Sequence, residues 1–78
     1  MIYVVVNVTY DYYRFQSNLG AFTDLQQACD YAMKYAKSKQ LTTANGFTYP
    51  LLQITKDPLE SEAFDEMEEN HIWIQIFN

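Results

Sequence analysis

The chain has 78 residues, a formal net charge of −5 and a single cysteine. This length is typical of one domain, spanning residues 1–78, and leaves no room for a separate catalytic lobe. A single cysteine excludes an intramolecular disulfide and suits a reducing compartment. Because neither a signal peptide nor an apolar run of roughly 18–20 residues is visible, we expect a cytoplasmic protein that does not contact a membrane.

The negative charge is concentrated near the end of the sequence. Residues 1–56 carry five basic and three acidic residues, a net charge of +2. Residues 57–78 carry seven acidic residues and no lysine or arginine, a net charge of −7 with histidine neutral. An acidic patch repels phosphate backbones, so the sequence disfavours direct nucleic-acid binding and favours a basic protein as the partner.

Alternating β-branched residues predict a first strand over residues 2–9, because side chains of a strand point to opposite faces in turn. Val5 and Tyr3 make its second face partly apolar, so we place this strand inside the sheet. Residues 10–13 are a predicted turn or bulged strand end. A second extended piece follows over about residues 13–22, and the polar residues and glycine at positions 17–20 predict a bend or bulge within it.

The tetrapeptide Thr23-Asp24-Leu25-Gln26 has the form of a capping box and predicts the start of a helix over about residues 24–39. In this interpretation the Thr23 hydroxyl accepts a hydrogen bond from the backbone N–H of Gln26. Apolar residues then recur with helical spacing and predict a face that packs on the sheet. These residues are Leu25, Ala28, Cys29, Ala32, Tyr35 and Ala36.

The second half of the chain predicts two more strands. Residues 47–55 return to an extended pattern, and Pro50 places this strand at an edge of the sheet or starts it after the proline, since proline cannot donate to a ladder. His71–Phe77 alternates isoleucine with other residues and predicts a terminal strand. Between them, Asp57-Pro58-Leu59-Glu60 predicts a second, short acidic helix. The alternative is a disordered acidic loop, because the like charges repel one another.

These elements predict an α+β fold. We expect an antiparallel or mixed sheet of about four strands, packed on one main amphipathic helix.

Residues that could support catalysis or metal binding are scarce. The chain has one cysteine, Cys29, and one histidine, His71, and one residue of each type cannot form a zinc site. Cys29 lies on the apolar helix face and is interpreted as a small buried residue. The two glycines, Gly20 and Gly46, cannot form a glycine-rich phosphate loop. We therefore predict that the protein is not an enzyme and uses no metal or other cofactor.

The aromatic content is high, with seven tyrosines, five phenylalanines and one tryptophan. A core this small cannot bury every tyrosine with its hydroxyl satisfied, so some tyrosines should be exposed. Exposed tyrosine is a common anchor of protein interfaces. The candidates are Tyr10, Tyr12, Tyr13 and Phe15. The alternative is that these residues are ordinary cross-strand aromatic pairs of a hairpin.

The layout of the chain resembles small acidic phage-encoded inhibitors of the anti-CRISPR type. The resemblance lies in the small size, the acidity, the many aromatic residues and the order of strands, capped helix and strands ending in Ile72-Trp73-Ile74. It includes no specific motif, so no functional residue is carried over. The resemblance implies a stoichiometric binder in the host cytoplasm that blocks a nuclease, such as a CRISPR nuclease, by placing carboxylates where phosphates would bind.

The sequence alone is compatible with this mechanism, since an acidic helix over residues 60–69 could present carboxylates to a basic channel. The predicted partner-binding residues are Glu60, Glu62, Asp65, Glu66, Glu68 and Glu69, with Tyr10, Tyr12 and Tyr13 as aromatic anchors. One alternative is a structural or assembly module that forms a homodimer through an edge strand or the aromatic surface. Another is a small enzyme or ligand-binding domain, which would need a concave pocket with convergent polar groups.

Overall fold

The computed structural model describes residues 1–43, 45–46 and 52–78. Its elements, in chain order, are β1 (Ile2–Asp11), β2 (Tyr13–Phe22), α1 (Leu25–Ser38), β3 (Ile54–Thr55), a 3₁₀ turn (Pro58–Glu60) and β4 (His71–Phe77). The strands form one sheet in the order β2-β1-β4-β3. Strand β1 is antiparallel to both of its neighbours, and β3 is parallel to β4. The predicted α+β fold with a mixed four-stranded sheet is confirmed.

Strands β1 and β2 form a hairpin that turns at Tyr12, whose φ of 63° lies in the left-handed region. This turn falls within the predicted residues 10–13. The register shifts near the other end of the hairpin, where Val5 lies opposite Gly20 and Val6 lies opposite Asn18. Leu19 is therefore an extra residue in β2, and the bulge predicted for this part of the strand is confirmed.

Helix α1 begins one residue later than the capping box predicted. Asp24 is the N-cap, with extended backbone angles, and its Oδ1 accepts a hydrogen bond of 3.0 Å from the backbone N–H of Gln26. The predicted role of Thr23 is therefore wrong. A carboxylate is the stronger acceptor at the positive end of a helix. The Gln26 side chain does not reach back to the cap but donates to Asp30 Oδ1 at 3.0 Å.

The two central strands are buried on both faces. On one face α1 covers a cluster of fully buried residues, Val5, Ala28, Ala32, Ala36, Ile72 and Ile74. The small alanine side chains allow the helix backbone to approach the sheet closely. On the other face Val6, Val8 and Trp73 form a second buried cluster, against which Val4 and Phe64 pack. The predicted interior position of the first strand is confirmed.

The region between β3 and β4 differs most from the sequence predictions. The predicted acidic helix is limited to one 3₁₀ turn at Pro58–Glu60, and residues 61–70 form turns and irregular structure. Like charges without basic neighbours destabilise a helix, and Phe64 is instead drawn onto the sheet. Of the predicted strand over residues 47–55, residues 47–51 lie outside the described part, and Ile54–Thr55 form the expected edge strand. In the described ranges no helix has the length and apolar character to cross a membrane.

Candidate protein-binding surface

Residues 57–70, which we call the acidic segment, are fastened to the sheet by Arg14 of β2. One guanidinium nitrogen, Nη1, donates hydrogen bonds to the carbonyl oxygens of Leu59 at 3.1 Å and Ser61 at 3.0 Å. The guanidinium carbon also lies 4.3 Å from the centre of the Phe64 ring, within the range of a cation–π contact. Arg14 therefore holds both the backbone and a side chain of the acidic segment.

Phe64 is the apolar anchor of the acidic segment. Its ring stacks on His71, with centroids 4.0 Å apart and an interplanar angle of 18°. It also makes edge contacts with Trp73 and Tyr10, each at 6.2 Å between centroids. These contacts cover the sheet face opposite to α1, so the acidic segment completes the second hydrophobic cluster.

His71 is buried and both of its ring nitrogens are bonded. Nε2 accepts a hydrogen bond of 3.1 Å from the backbone N–H of Asp65. The proton must then reside on Nδ1, which lies 3.2 Å from the carbonyl oxygen of Val8 and donates to it. The imidazole thus connects the acidic segment to β1. This arrangement gives His71 a structural role.

The predicted carboxylates are mostly exposed. Glu60, Glu62, Asp65, Glu66 and Glu69 are exposed, and Glu68 is half-buried. Asp65 Oδ1 accepts a hydrogen bond of 2.9 Å from the backbone N–H of Met67, which fixes a local turn. Within the described residues, no hydrogen bond occupies the side chains of Glu60, Glu62, Glu66 and Glu69. These carboxylates face solvent.

The predicted tyrosines lie at the hairpin tip. Tyr12 is 87% exposed and Tyr13 is 73% exposed, while Tyr10 is less exposed and contacts Phe64. Tyr10 and Arg14 are opposite each other in the hairpin register. Because Arg14 holds the carbonyls on either side of Glu60, the strand end next to the hairpin tip adjoins the start of the acidic segment. Tyr10 is on the same sheet face as this segment, whereas Tyr13 is on the α1 side of the sheet.

The structure divides the predicted carboxylates into two groups. Glu60 lies between the two carbonyls that Arg14 binds, and Glu62 comes directly after them. Glu68 and Glu69 instead line a cavity of about 330 Å³ beside residues 40–43. A continuous row of carboxylates along one helix face, as predicted for residues 60–69, is absent from the described chain. The candidate surface therefore consists of the hairpin tip and the first carboxylates, with the remaining carboxylates further along the segment.

Two residues that assemble this surface, Arg14 and Phe64, have no role in the sequence prediction. Met67 fits the helical spacing of the predicted acidic helix, but its side chain is exposed among the carboxylates. One signal was available, since Phe64 is the only aromatic residue between positions 57 and 70. A lone aromatic residue in a polar run often marks a contact with the core. Arg14 offered no comparable signal, because its partners are 45 and 47 residues away.

A cavity of about 500 Å³ lies between the acidic segment and β4, and Asp65, Glu68 and His71 are part of its lining. Both nitrogens of His71 are engaged, so this ring offers no free base to the cavity. In the described residues, no three His, Cys, Asp or Glu side chains are grouped as a metal ion would require.

The chain matches no family model, no curated protein and no solved structure with which it was compared.

Proposed function

We propose that the protein is a non-enzymatic protein-binding module that acts as a stoichiometric inhibitor. The observation that carries this proposal is that Arg14 fastens the acidic segment, with its exposed carboxylates, to the hairpin whose tip carries the exposed tyrosines. Tyrosine anchors and carboxylates have complementary roles at an interface. The aromatic rings contribute affinity, and the charges direct the encounter and select a basic partner.

The contacts that hold the acidic segment on the sheet support binding, because they reduce the conformational entropy that the segment loses when a partner binds. Arg14 of β2 and His71 of β4 contact the segment, and Phe64 of the segment packs on the sheet. A segment already held in place loses less conformational freedom on binding than a free loop does. The exposed carboxylates are then presented from a preorganised backbone, although this backbone is not helical.

The partner class that fits this surface is a basic nucleic-acid-binding protein. A channel lined with lysine and arginine binds phosphates through charge, and exposed carboxylates can occupy such a channel in their place. The resemblance to small phage-encoded inhibitors of the anti-CRISPR type points to a CRISPR nuclease in the host cytoplasm as a specific candidate. The chain itself would bind no nucleic acid, because its net charge is −5.

The first experiment is a pull-down from host lysate in which retained proteins are identified by mass spectrometry and their affinities are then measured by calorimetry. The native chain is compared with Glu60→Gln/Glu62→Gln and with Tyr12→Ala/Tyr13→Ala. The matched control is Asp30→Asn/Met33→Ala, which alters exposed residues on α1. We expect a basic nucleic-acid-binding protein that both surface variants bind at least tenfold more weakly, a loss of about 1.4 kcal/mol. The control should bind it normally.

Salt provides a second criterion. Attraction between exposed charges is screened as ionic strength rises, so binding should weaken between about 0.05 M and about 0.5 M salt. The proposal is wrong if the surface variants and the control bind the same partner equally well. It is also wrong if the retained partner is acidic and its binding is insensitive to salt.

A further inference from the structure

Strand β2 forms one outer edge of the sheet, and its edge has little protection. The opposite edge strand, β3, is only two residues long, and short edge strands resist unwanted pairing. Strand β2 has ten residues and contains no proline, lysine or acidic residue. Its one charged side chain, Arg14, is directed to the carbonyls of the acidic segment. The bulge at Leu19 disrupts only the far end, so residues 13–18 present a regular edge that no other described strand pairs with.

The same strand carries two exposed aromatic rings on one face. Tyr13 is 73% exposed and Phe15 is 52% exposed, and their centroids lie 6.4 Å apart in an edge contact. Both rings lie on the α1 side of the sheet. Phe15 is opposite Thr9, and Thr9 is on the same face of β1 as Val5, which packs under α1. With about 200 Å² for a whole aromatic side chain, the two rings expose roughly 250 Å² in each copy.

We propose that β2 pairs antiparallel with β2 of a second copy of this chain, around a two-fold axis beside Phe15, so that the two Phe15 residues lie opposite each other. The axis is perpendicular to the sheet, so the two four-stranded sheets join into one of eight strands. This pairing is isologous and closes after two copies. It also sets the Tyr13–Phe15 pair of one copy beside that of the other on the same face, within reach of cross-strand and diagonal contacts.

The available area favours a second copy as a weakly bound occupant, and no charge on the paired strands opposes it. No carboxylate belongs to β2, so the paired strands bring no acidic side chains directly opposite each other. The rings of two copies supply about 500 Å², and the backbone of the paired residues raises the total to about 1,000 Å². This area is near the lower limit of specific interfaces, and we therefore expect a dimer with a Kd in the micromolar range.

Salt distinguishes this dimer from the proposed inhibitor complex. Each copy carries a net charge of −5, and two copies repel each other. Screening relieves this repulsion, so dimerisation should strengthen with salt, whereas binding to a basic partner should weaken. The two proposals therefore predict opposite salt dependences and fail independently.

The test is sedimentation velocity on the full chain, from roughly 1 μM to 1 mM protein, at low and high salt. The variant is Phe15→Lys, since a lysine on an edge strand opposes pairing. The matched control is Ile54→Lys on the other edge, where Ile54 is 44% exposed. We expect the native chain and the control to dimerise with rising concentration, more tightly at high salt. Phe15→Lys should remain monomeric while its circular dichroism is unchanged.

Three results would overturn the proposal. The first is a native chain that stays monomeric up to about 1 mM, a concentration well above a micromolar Kd. The edge of β2 would then be unpaired or would bind an extended segment of another protein. The second is a dimer that Ile54→Lys disrupts and Phe15→Lys does not. The third is a dimer that weakens as salt rises. Because these measurements use the chain alone, none of them depends on the proposed inhibitory function.

Discussion

Replacing Phe64 with alanine should release the acidic segment from the sheet. The half-buried ring removes about 100 Å² of apolar surface from water, which corresponds to about 2.5 kcal/mol. The lost contacts with His71, Trp73 and Arg14 add roughly 0.5–1 kcal/mol. We therefore expect the free energy of unfolding to fall by about 3 kcal/mol and the Tm to fall by roughly 12–24 °C.

The assay is urea unfolding, followed by circular dichroism and by the fluorescence of Trp73. Trp73 is the single tryptophan and is buried under Phe64, so its emission should shift towards longer wavelength in the native state of the variant. Phe64→Leu keeps much of the apolar area and should cost only about 1 kcal/mol. Phe77→Ala, which removes an exposed ring at the end of β4, should also cost less than about 1 kcal/mol.

A partly buried ring with four aromatic or cationic neighbours cannot be removed at a small cost in stability. If Phe64→Ala lowers the free energy of unfolding by less than about 1 kcal/mol and leaves the Trp73 emission unchanged, Phe64 does not hold the acidic segment on the sheet. In the same variant every carboxylate is retained. Any loss of partner affinity then measures the preorganisation of the acidic segment and not its charge.

Further substitutions test single contacts by urea unfolding. Arg14→Lys keeps the charge but cannot reproduce the planar guanidinium geometry, so we expect a loss of about 1–2 kcal/mol; a stability equal to the native value would show that charge alone suffices. Asp24→Ala should cost about 1 kcal/mol and Thr23→Ala less than about 0.5 kcal/mol, and the reverse order would restore the predicted capping box. Tyr12→Asn relieves the left-handed backbone and should raise stability by about 0.5–1 kcal/mol while weakening partner binding; a loss of stability would contradict this argument.

The regular elements were predictable because their signals are local. The alternation around Val5 and the helical spacing of the alanines each recur every few residues, and burial follows from that spacing. His71–Phe77 was predicted with the same limits as the observed strand. The N-cap was predicted one residue early, because Thr23 and Asp24 are both good capping residues and only the backbone angles decide between them.

The acidic segment was harder to predict because its conformation depends on distant contacts. Its main restraints come from Arg14 on β2 and from the imidazole of His71 on β4, and neither contact repeats along the sequence. The local signal at Asp57-Pro58 predicted a short helix, of which only the 3₁₀ turn at Pro58–Glu60 forms. Residues 61–70 do not continue the helix, because like charges repel one another and the burial of Phe64 favours a different backbone path. The candidate tyrosines were found from composition, whereas the link between the hairpin and residues 59–61 through Arg14 required the fold.

The hairpin tip links the two proposed interactions, because Tyr13 belongs to both surfaces. A chain paired through β2 covers this ring, so only the monomer would bind the partner with full affinity. At a total concentration tenfold above the dimer Kd, about one fifth of the chains are monomeric, and the apparent affinity should fall about fivefold. Phe15→Gln, which removes the ring without adding charge, should bind with an affinity that does not vary with its own concentration. If the affinity of the native chain is equally constant while it dimerises, the two surfaces do not share Tyr13, and the partner must contact the carboxylates and Tyr12 alone.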